Sequence, residues 1–549
     1  LKDFHVAPMC TPTRSQLMTG VHAMRNGATC VSAGRSLVRP EFKMMPEFLK
    51  QQGYATGLFG KWHLGDQAFF RPSDRGFDHV VRFESSYIGS LADHFANDYF
   101  DPHLIRNGRR FQARGYNTDV FFDEAMDWMK SKADDGQRFF CYLPTAAPHW
   151  PHFAPRTYRE QVRRYWEASK AALPNLTPEQ KPELFCYLAM ILNVDDNIGR
   201  LETFLQSHSL TESTLLIFLS DNGSTFAPMY FDAGMRGKKQ SLFEGGHRVP
   251  CFIRWPGGGI GGGRTVEALT RVEDLLPTIL DLLGIETSAQ SMDGISLAGS
   301  LRGKADPPDD RMIPINYARM SFFKEPYTTT PTIPHRDGGA VLWKRWRWLA
   351  HRGQLYDLKQ DPKQLVDLAS QYPKVAEKMR RFYDRWWSEV SSDAQEVQPI
   401  VISPDTSTRL TAQDWADVSV DQHLQLRRGV PESGSWYVNV AQAGRYVFKA
   451  RRWPQESGLA ITDAAPAVKL VDGLHPAGRS LPIESAQLQV GNQTFVVPVN
   501  PGDAAVSFVV DLQAGPTTWT ATFHDSSKRK LCGVFYAECR RANPSDGPA

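Results

Sequence analysis

One short stretch of this chain restricts its fold more than any other. The five residues Leu215–Leu219 are all large and apolar, and the polar sequence Ser220–Gly223 (Ser-Asp-Asn-Gly) ends the run. An unbroken apolar run of this length predicts a strand that is buried on both of its faces. Such strands are typical of mostly parallel sheets covered by helices on both sides, so the stretch predicts an α/β fold.

The rest of the first 310 residues agrees with this prediction, because short apolar strands alternate with helical patterns. The predicted strands are Tyr54–Phe59, Arg138–Leu143, Thr214–Ser220 and Val249–Ile253, and the predicted helices are Met45–Gln52, Asp119–Lys132 and Glu183–Ser207. In such sheets, ligands bind outside the carboxyl ends of the strands. Residues that directly follow a strand are therefore the first candidates for a functional site.

The sequence after residue 310 predicts two further structural units. Val341–Ala350 and Gln354–Leu358 indicate a hairpin, and a helix is predicted from Lys374 to Val390. From about Ser391 short alternating strands follow one another, which is typical of a β-sandwich. We therefore expect an α/β domain over 1–310, a small α+β subdomain over 311–392 and a β-sandwich accessory domain over 393–549.

Composition and charge exclude several classes of protein. The 549 residues carry 63 Lys and Arg against 60 Asp and Glu, a net charge of +3 that is far from the basic character of a nucleic-acid-binding protein. No apolar stretch approaches the ~20 residues that a membrane-spanning helix needs. The 7 cysteines are too few and too scattered for a disulfide scaffold. The sequence thus predicts no nucleic-acid partner and no membrane span.

Basic and imidazole side chains follow two of the predicted strands. Lys61 and His63 come directly after one strand, and side chains two apart in an extended segment point the same way. His149 follows another strand between Pro148 and Pro151, which fix the backbone around it. A rigidly held imidazole could be a general acid, or a loop histidine that caps a carbonyl.

Three further segments complete this set of candidates. Asp221 and Asn222 supply oxygen ligands of the kind that Ca²⁺ or Mg²⁺ requires, although Asp-Asn-Gly is also a common turn. Lys239 adds a cation, unless it is merely solvated, and Cys10 lies in the turn Cys-Thr-Pro-Thr-Arg. A lone cysteine is usually a buried thiol. Together, however, these groups suit an oxyanion, and both phosphoryl and sulfuryl esters fit that description.

The same segments resemble the signatures of the type I sulfatases of the alkaline phosphatase superfamily. Cys10–Arg14, followed by Leu17–Gly20, resembles the Cys-x-Pro-x-Arg signature of that family, and Gly53–Gly65 resembles its second signature. Further similar segments occur in the family's order, namely Pro148–Pro151, Ser220–Gly223, Lys239–Pro250 and the subdomain hairpin at Leu355–Pro362. The resemblance extends over roughly Leu1–Val390.

This resemblance implies a modified nucleophile. In the family, a formylglycine-generating maturation enzyme reads Cys-x-Pro-x-Arg and oxidises the cysteine to Cα-formylglycine. Cys10 would become an aldehyde whose hydrate attacks the sulfur of a sulfate ester with one hydroxyl and displaces the alcohol. The second hydroxyl, once deprotonated, would expel sulfate. The chain would therefore be a sulfuric ester hydrolase of the arylsulfatase type.

The resemblance also implies a role for each of the other catalytic candidates. Arg14 would hold the formylglycine, and Lys61 would bridge the aldehyde oxygen and the sulfate. His63 would take the proton from the second hydroxyl. His149 and Lys239 would bind sulfate, with His149 donating a proton to the leaving oxygen.

The same resemblance implies a Ca²⁺ site built by Asp221 and Asn222 together with the nucleophile at Cys10. The family pattern adds an Asp-Asp pair on a strand before the cysteine, whereas nine residues precede Cys10 here and Asp3 is the lone acid among them. We therefore expect this sequence to be the N-terminally truncated part of a longer protein. Taken alone, it would bind the metal weakly, because ligand number governs Ca²⁺ affinity.

Two other functions stay open. A phosphoester hydrolase of the same superfamily would normally employ Ser or Thr as nucleophile, so Cys10 argues against it. A non-catalytic glycan-binding protein would have no need of Lys61, His63, His149 and Lys239.

The substrate class and the location follow only by analogy with the family. The substrate would be a sulfated small molecule, such as an aryl sulfate, or a sulfated polysaccharide. Trp436 and Trp453, as candidates for exposed aromatic residues on the accessory domain, favour the polysaccharide, unless they pack the sandwich or dock it onto the α/β domain. Family analogy further predicts a periplasmic or extracellular protein.

Overall fold

The structure, a computed structural model, describes residues 1–169, 176–286, 290–318, 332–544 and 546. The first region contains the strands β1 (Asp3–His5), β2 (Ala55–Phe59), β3 (His79–Arg82), β4 (His103–Arg106), β5 (Arg109–Gln112), β6 (Phe139–Tyr142), β7 (Leu216–Leu219), β8 (Cys251–Arg254) and β9 (Leu269–Arg271). Its helices are α1 (Cys10–Thr19), α2 (Ala23–Asn26), α3 (Met45–Gln51), α4 (Asn117–Asp134), α5 (Arg156–Ser169), α6 (Gln180–Ser207), α7 (Glu244–His247), α8 (Leu275–Leu282) and α9 (Ala298–Leu301).

The strands of this region form mixed sheets. The largest has the order β5-β4-β3-β2-β6, in which β2 pairs in parallel with β3 and β6, while β3, β4 and β5 pair antiparallel. β1 pairs in parallel with β9, and β7 pairs antiparallel with β8. The antiparallel part includes a tight hairpin, because Asn107 and Gly108 both adopt the left-handed conformation between β4 and β5. The predicted α/β fold is confirmed, but its sheets are less parallel than expected.

The apolar run that predicted the fold is only half-buried. Phe218 of β7 is 40% exposed and stacks on Phe252 of β8, with ring centroids 6.2 Å apart. Within the described ranges, β7 pairs with β8 along one edge and has no strand partner along the other. The prediction of burial on both faces is therefore wrong for this strand.

Parallel pairing brings the carboxyl ends of β2 and β6 to one edge of the sheet. Leu58 of β2 lies opposite Tyr142 of β6, and the backbone N–H of Lys61 donates a 2.7 Å hydrogen bond to the carbonyl of Pro144. Helix α1 is buried along its whole length against the neighbouring core, in which Phe4, Leu58 and Leu275 pack together. The segments predicted to carry chemistry thus leave the sheet at neighbouring points.

The second region is a small antiparallel sheet with a long helix packed on it. Its order is β10-β11-β12-β13, where the strands are β10 (Met312–Asn316), β11 (Gly339–Trp343), β12 (Trp346–Leu349) and β13 (Gln354–Asp357). The predicted hairpin corresponds to β11, β12 and β13, and the predicted helix is α10 (Pro373–Gln395). Tyr383 and Trp386 of α10 pack in one core with Trp348 of the sheet.

The third region is rich in strands. They are β14 (Ile400–Ile402), β15 (Thr408–Thr411), β16 (Ser435–Val440), β17 (Gly444–Arg451), β18 (Val468–Lys469), β19 (Leu474–His475), β20 (Ser485–Val490), β21 (Gln493–Pro498), β22 (Val506–Leu512), β23 (Gly515–His524), β24 (Lys530–Gly533) and β25 (Tyr536–Arg541), with the helix α11 (His423–Arg428). One sheet has the order β14-β16-β23-β20-β21, with β24 beside β23, and a second has the order β15-β25-β17-β22.

The aromatic residues that were expected to bind glycans lie in the core of this region. Trp436 is 0% exposed and Trp453 is 1% exposed, and both belong to one apolar cluster with Phe448 and Trp519. Neither ring has a face available for a sugar, so the prediction that they are exposed is wrong. Alternation along β16 explains this outcome, because it places Trp436 on the inward face with Val438 and Val440.

The strand-rich region also packs against the first one. Leu37, Phe70 and Leu91 of the first region belong to its apolar core, and the Tyr536 hydroxyl donates a 2.8 Å hydrogen bond to the carbonyl of Leu91. Arg35 forms an ion pair with Asp417 at 2.8 Å. The domain boundaries 1–310, 311–392 and 393–549, whose ends include a few residues outside the described ranges, stay a prediction.

Among the described residues, no helix combines the length and the apolar character that crossing a bilayer requires.

We predict that Phe448→Ala lowers the free energy of unfolding by about 3–5 kcal/mol, because it removes a buried ring that packs against three others. Urea unfolding followed by circular dichroism measures the change. The control is Val496→Ala, since Val496 is 63% exposed and should change the free energy by less than ~0.5 kcal/mol. Equal effects of the two substitutions would contradict the packing of this core.

Candidate active site

Cys10 is the first residue of α1 and is almost fully buried. The backbone N–H of Gln240 donates a 2.9 Å hydrogen bond to the carbonyl of Pro8, which ties the segment before Cys10 to a loop that precedes α7. That loop brings Lys239 to the cysteine, with Nζ 3.7 Å from Sγ. The thiol therefore lies beside an ammonium group from a distant part of the sequence.

Arg14 joins four segments of the site. It lies one turn after Cys10 on α1, so the two side chains share a face of the helix. Its guanidinium donates to Oδ2 of Asp221 through Nε at 3.0 Å and Nη2 at 2.7 Å. Nη1 donates to the carbonyl of Lys61 and to the hydroxyl of Tyr142, both at 3.2 Å. One side chain thus fixes the end of β6 and the segments after β2 and β7.

The segment after β2 is held in a special backbone conformation. Gly60 has a φ of +130° and lies so close to Pro144 that a Cβ atom would be 2.1 Å from its carbonyl oxygen. His63 has a φ of +63°, a left-handed conformation that is uncommon for a residue with a side chain. Its carbonyl accepts a 3.1 Å hydrogen bond from the Thr11 hydroxyl. Strain of this kind is typical of functional sites.

The hydrogen bonds of His63 determine which ring nitrogen can accept a proton. Nε2 lies 2.9 Å from the carbonyl of Val31, and because a carbonyl only accepts, Nε2 carries the hydrogen. Nδ1 is buried and has no hydrogen-bond partner among the residues that the structure describes. Burial, followed by the charges of Lys61 and Arg14, holds the pKa of His63 well below its usual value. The ring is therefore neutral and presents a lone pair at Nδ1.

The remaining charges of the site also shift one another's pKa values. Burial lowers the pKa of Lys61 to about 8. Burial acts to raise the pKa of the Cys10 thiol, but Lys239 and Lys61 outweigh it and the net shift is downward. Burial likewise opposes ionisation of Asp221, yet Arg14 and the two lysines lower its pKa to about 2. The site stabilises negative charge.

His149 lies in a loop that contains two cis X-Pro bonds, one on each side of it. Its Nδ1 donates to the carbonyl of Trp150 at 2.5 Å, so the neutral ring presents an unprotonated Nε2. The imidazole stacks on Tyr87 with ring centroids 4.6 Å apart. Burial, followed by the charges of Lys239 and Lys61, keeps its pKa well below the usual value.

Asp221 and Asn222 follow β7 in a turn that is hydrogen-bonded to α7, because the N–H of Gly223 donates to the carbonyl of Gly246 at 3.0 Å. The Ser220 hydroxyl donates a 2.9 Å hydrogen bond to the carbonyl of Asn222. The side-chain oxygen Oδ1 of Asn222 is buried and has no partner in the described part of the chain. Hard cations such as Ca²⁺ prefer oxygen ligands, and this unpartnered oxygen beside an ionised carboxylate provides that type of donor. These two residues provide only part of the six to eight oxygens that Ca²⁺ takes.

The structure brings all the predicted site residues into one region at the carboxyl ends of β2, β6 and β7. Three contributors were missed by sequence reasoning, namely Thr11, Tyr87 and Tyr142. Tyr142 is the last residue of β6, so the rule that directs attention to strand ends could have found it. Tyr87 lies in a loop that is far along the sequence from every motif, so no sequence pattern could have identified it.

Comparison with known proteins gives a clear family match. The family model described as Sulfatase matches residues 1–285. N-acetylgalactosamine-6-sulfatase of Canis lupus familiaris is 29% identical over 324 residues, which are 54% of this chain and 57% of that protein. An ulvan-active sulfatase of Formosa agariphila is 29% identical over 316 residues, covering 56% of this chain and 58% of that protein. The chain thus spans a little over half the length of these relatives.

Solved structures share the fold. The crystal structure of Ps i-CgsB in complex with k-i-k-neocarrahexaose superposes with a TM-score of 0.58 at 24% identity, over 72% of this chain and 85% of that one. The structure of BT4656 in complex with D-glucosamine-2-N,6-O-disulfate has a TM-score of 0.56 at 20% identity, over 72% of this chain and 89% of that one. The sulfatase fold predicted from the sequence is therefore confirmed.

We predict that Gly223→Ala disrupts the turn that carries Asp221 and Asn222. A Cβ atom on Gly223 would lie 1.8 Å from the carbonyl oxygen of Gly245, so the backbone must move. We expect a loss of about 1–3 kcal/mol in the free energy of unfolding, measured by denaturant titration.

The matched control is Gly199→Ala in α6, where a Cβ meets nothing within 4 Å. Because alanine favours helix more than glycine does, this variant should be neutral or more stable by up to about 1 kcal/mol. If Gly223→Ala is as stable as the control, the close approach of the two turns is wrong.

Proposed function

Because the chain belongs to the sulfatase family, we propose that it hydrolyses sulfate esters with a nucleophile derived from Cys10. The observation that carries this proposal is the 3.7 Å contact between Lys239 Nζ and Cys10 Sγ, which puts a cation beside the cysteine of the Cys-x-Pro-x-Arg signature. An ordinary buried cysteine has no reason to lie among Lys239, Lys61 and Arg14. A site that stabilises a developing anion does require such neighbours.

The nucleophile would be formylglycine, made from Cys10 by a maturation enzyme. When present, this group supplies a hydrated aldehyde, in which one hydroxyl can attack sulfur and the other can release sulfate. The protein's own contribution is the surroundings of that group. Lys239 and Lys61 favour an anionic oxygen at this position, as they favour the thiolate of Cys10.

The cations of the site divide into two kinds. Arg14 is compensated by its ion pair with Asp221 at 2.7 Å. Lys61 and Lys239 form no ion pair within the described ranges, so their charges remain available for a bound anion. We infer that these two ammonium groups bind the sulfate and stabilise the charge that develops on it.

The two imidazoles would move protons, but their hydrogen bonds give them different starting states. His63, with a lone pair at Nδ1, is ready to take a proton from a hydroxyl. His149 presents an unprotonated Nε2 and must first become an imidazolium before it can donate to the leaving oxygen. The sulfate anion of a bound substrate favours that charged form, because an opposite charge nearby raises the pKa of a histidine.

A Ca²⁺ ion would be held by Asp221 and Asn222, with further oxygens from the group at residue 10. When bound, the cation offsets the charge of the sulfate and of the nucleophile. The unpartnered Oδ1 of Asn222 supports this assignment.

Relatives support a carbohydrate substrate more than an aryl sulfate. Those with a substrate in their names include an N-acetylgalactosamine-6-sulfatase and an ulvan-active sulfatase. We therefore propose that the substrate is a sulfated carbohydrate and, by family analogy, that the protein works in the periplasm or outside the cell. Trp436 and Trp453 no longer contribute to this argument, since both are buried.

We expect Cys10 to be modified in the mature protein. When the full-length protein is produced together with a formylglycine-generating enzyme, the tryptic peptide Asp3–Arg14 should carry the mass of the aldehyde at position 10. Sulfate release from 4-nitrophenyl sulfate should accompany it and should be absent in Cys10→Ala. An unmodified peptide with no sulfate release would overturn the proposed function.

Lys239 and its neighbour Lys238 should differ in their contribution to catalysis. Lys239→Met should lower kcat by about 10²–10³-fold, because it removes a donor aimed at the developing charge. Lys238→Met is the control, since Lys238 is exposed and should retain full activity. Steady-state kinetics on matured protein measure both variants, and equal activities would remove Lys239 from the mechanism.

A further inference from the structure

A second polar cluster lies beside β1, apart from the eight residues of the candidate active site. It consists of His5 on β1 with Glu244 and His247 on α7, all buried. One ligand atom from each of these side chains lies within 4.8 Å of the other two. The two backbones are joined as well, because the N–H of Val6 donates a 2.8 Å hydrogen bond to the carbonyl of His247.

Hydrogen bonds on the outer side of the cluster fix the tautomers of both histidines. Nε2 of His5 lies 2.9 Å from Oδ1 of Asp3, and Nε2 of His247 lies 3.2 Å from the carbonyl of Leu242. An ionised carboxylate and a carbonyl only accept, so both Nε2 atoms must carry hydrogens. In neutral rings, both Nδ1 atoms are then left with lone pairs.

The two nitrogens that carry these lone pairs lie close together. The Nδ1 atoms of His5 and His247 are 2.9 Å apart, a distance at which two acceptors repel unless something positive lies between them. Glu244 supplies a third ligand atom, since one of its carboxylate oxygens lies within 4.8 Å of the histidine ligand atoms, and its buried Oε2 accepts no hydrogen bond within the described ranges. Nη1 of Arg248 lies 3.5 Å from this oxygen and forms no hydrogen bond with it.

We propose that His5, Glu244 and His247 bind a divalent transition-metal ion of the Zn²⁺ class. Two imidazole nitrogens and one carboxylate oxygen form a known ligand set for zinc, which leaves a fourth position for water or hydroxide. Nitrogen ligands of tetrahedral zinc lie about 3.3 Å apart, so a small separation of the two rings would admit the ion. Outer hydrogen bonds to a carboxylate and a backbone carbonyl are what metal-binding histidines typically make.

A proton shared between the two rings is the competing explanation. Such a proton would make one of the two buried rings an imidazolium, and within the described ranges it would still leave Oε2 of Glu244 without a hydrogen bond. Glu244 is ionised, because Arg347 and nearby groups overcome the effect of burial and lower its pKa to about 2. The charges of Asp3 and Glu244 cancel those of Arg347 and Arg248. A Zn²⁺ ion with a bound hydroxide adds one positive charge to the cluster, which is the same charge that a shared proton adds.

Metal binding would fasten α7 to β1, the strand that precedes the segment leading to Cys10.

The experiment uses the full-length protein. A chelator first removes bound metal, Zn²⁺ is then added in the presence of excess Ca²⁺, and unbound ions are removed by dialysis. Mass spectrometry of the metal content should give about one Zn²⁺ per chain. His247→Gln and Glu244→Gln should each lose this ion, whereas His423→Gln, which removes a buried histidine of the third region, should retain it.

A crystal of the unsubstituted protein soaked in Zn²⁺ makes the test independent of how the variants fold. Anomalous scattering at the zinc absorption edge should show a peak bonded to both Nδ1 atoms and to Glu244. The absence of a peak there, or equal Zn²⁺ content in the wild type, His247→Gln and Glu244→Gln, would overturn the proposal and leave the shared proton as the explanation.

Discussion

The arrangement of the candidate site depends on the ion pair between the buried Arg14 and the partly buried Asp221. Placing the charge of Arg14 in the interior costs free energy unless that charge is paired and hydrogen-bonded. Arg14 satisfies this requirement with Asp221, the carbonyl of Lys61 and the hydroxyl of Tyr142. The pair therefore sets the positions of three strand ends relative to α1. It also leaves the two lysines of the site without a partner carboxylate in the described ranges.

The third region contributes more to stability than its predicted role as an accessory suggested. Its aromatic core includes Leu37, Phe70 and Leu91 from the first region, and Arg35 extends into it to pair with Asp417. Apolar surface buried between two regions stabilises both of them. Any glycan contact of this region must therefore use its outer surface rather than Trp436 or Trp453. Removing the region would expose apolar side chains of the first one.

Strand β1 connects two polar clusters of different character. The residues after it place Cys10 beside the cations Lys239 and Lys61, while His5 on the strand itself lies close to Glu244 and His247. The segment from Lys239 to His247 contributes to both clusters, with a lysine at one and two ligand candidates at the other. A change in the packing of α7 would therefore alter the geometry of both clusters.

The sequence by itself determined the fold class, because apolar strands alternate with helices, and it determined the family through the Cys10–Arg14 signature and the motifs that follow it. It also predicted eight candidate site residues, whose roles stay a prediction. Tertiary structure alone decided which nitrogen of His63 is unprotonated, the stacking of His149 on Tyr87, the half-exposure of Phe218 and the opposed rings of His5 and His247. These features depend on contacts between residues far apart in the chain, and burial and hydrogen-bond partners are properties of those contacts rather than of local sequence.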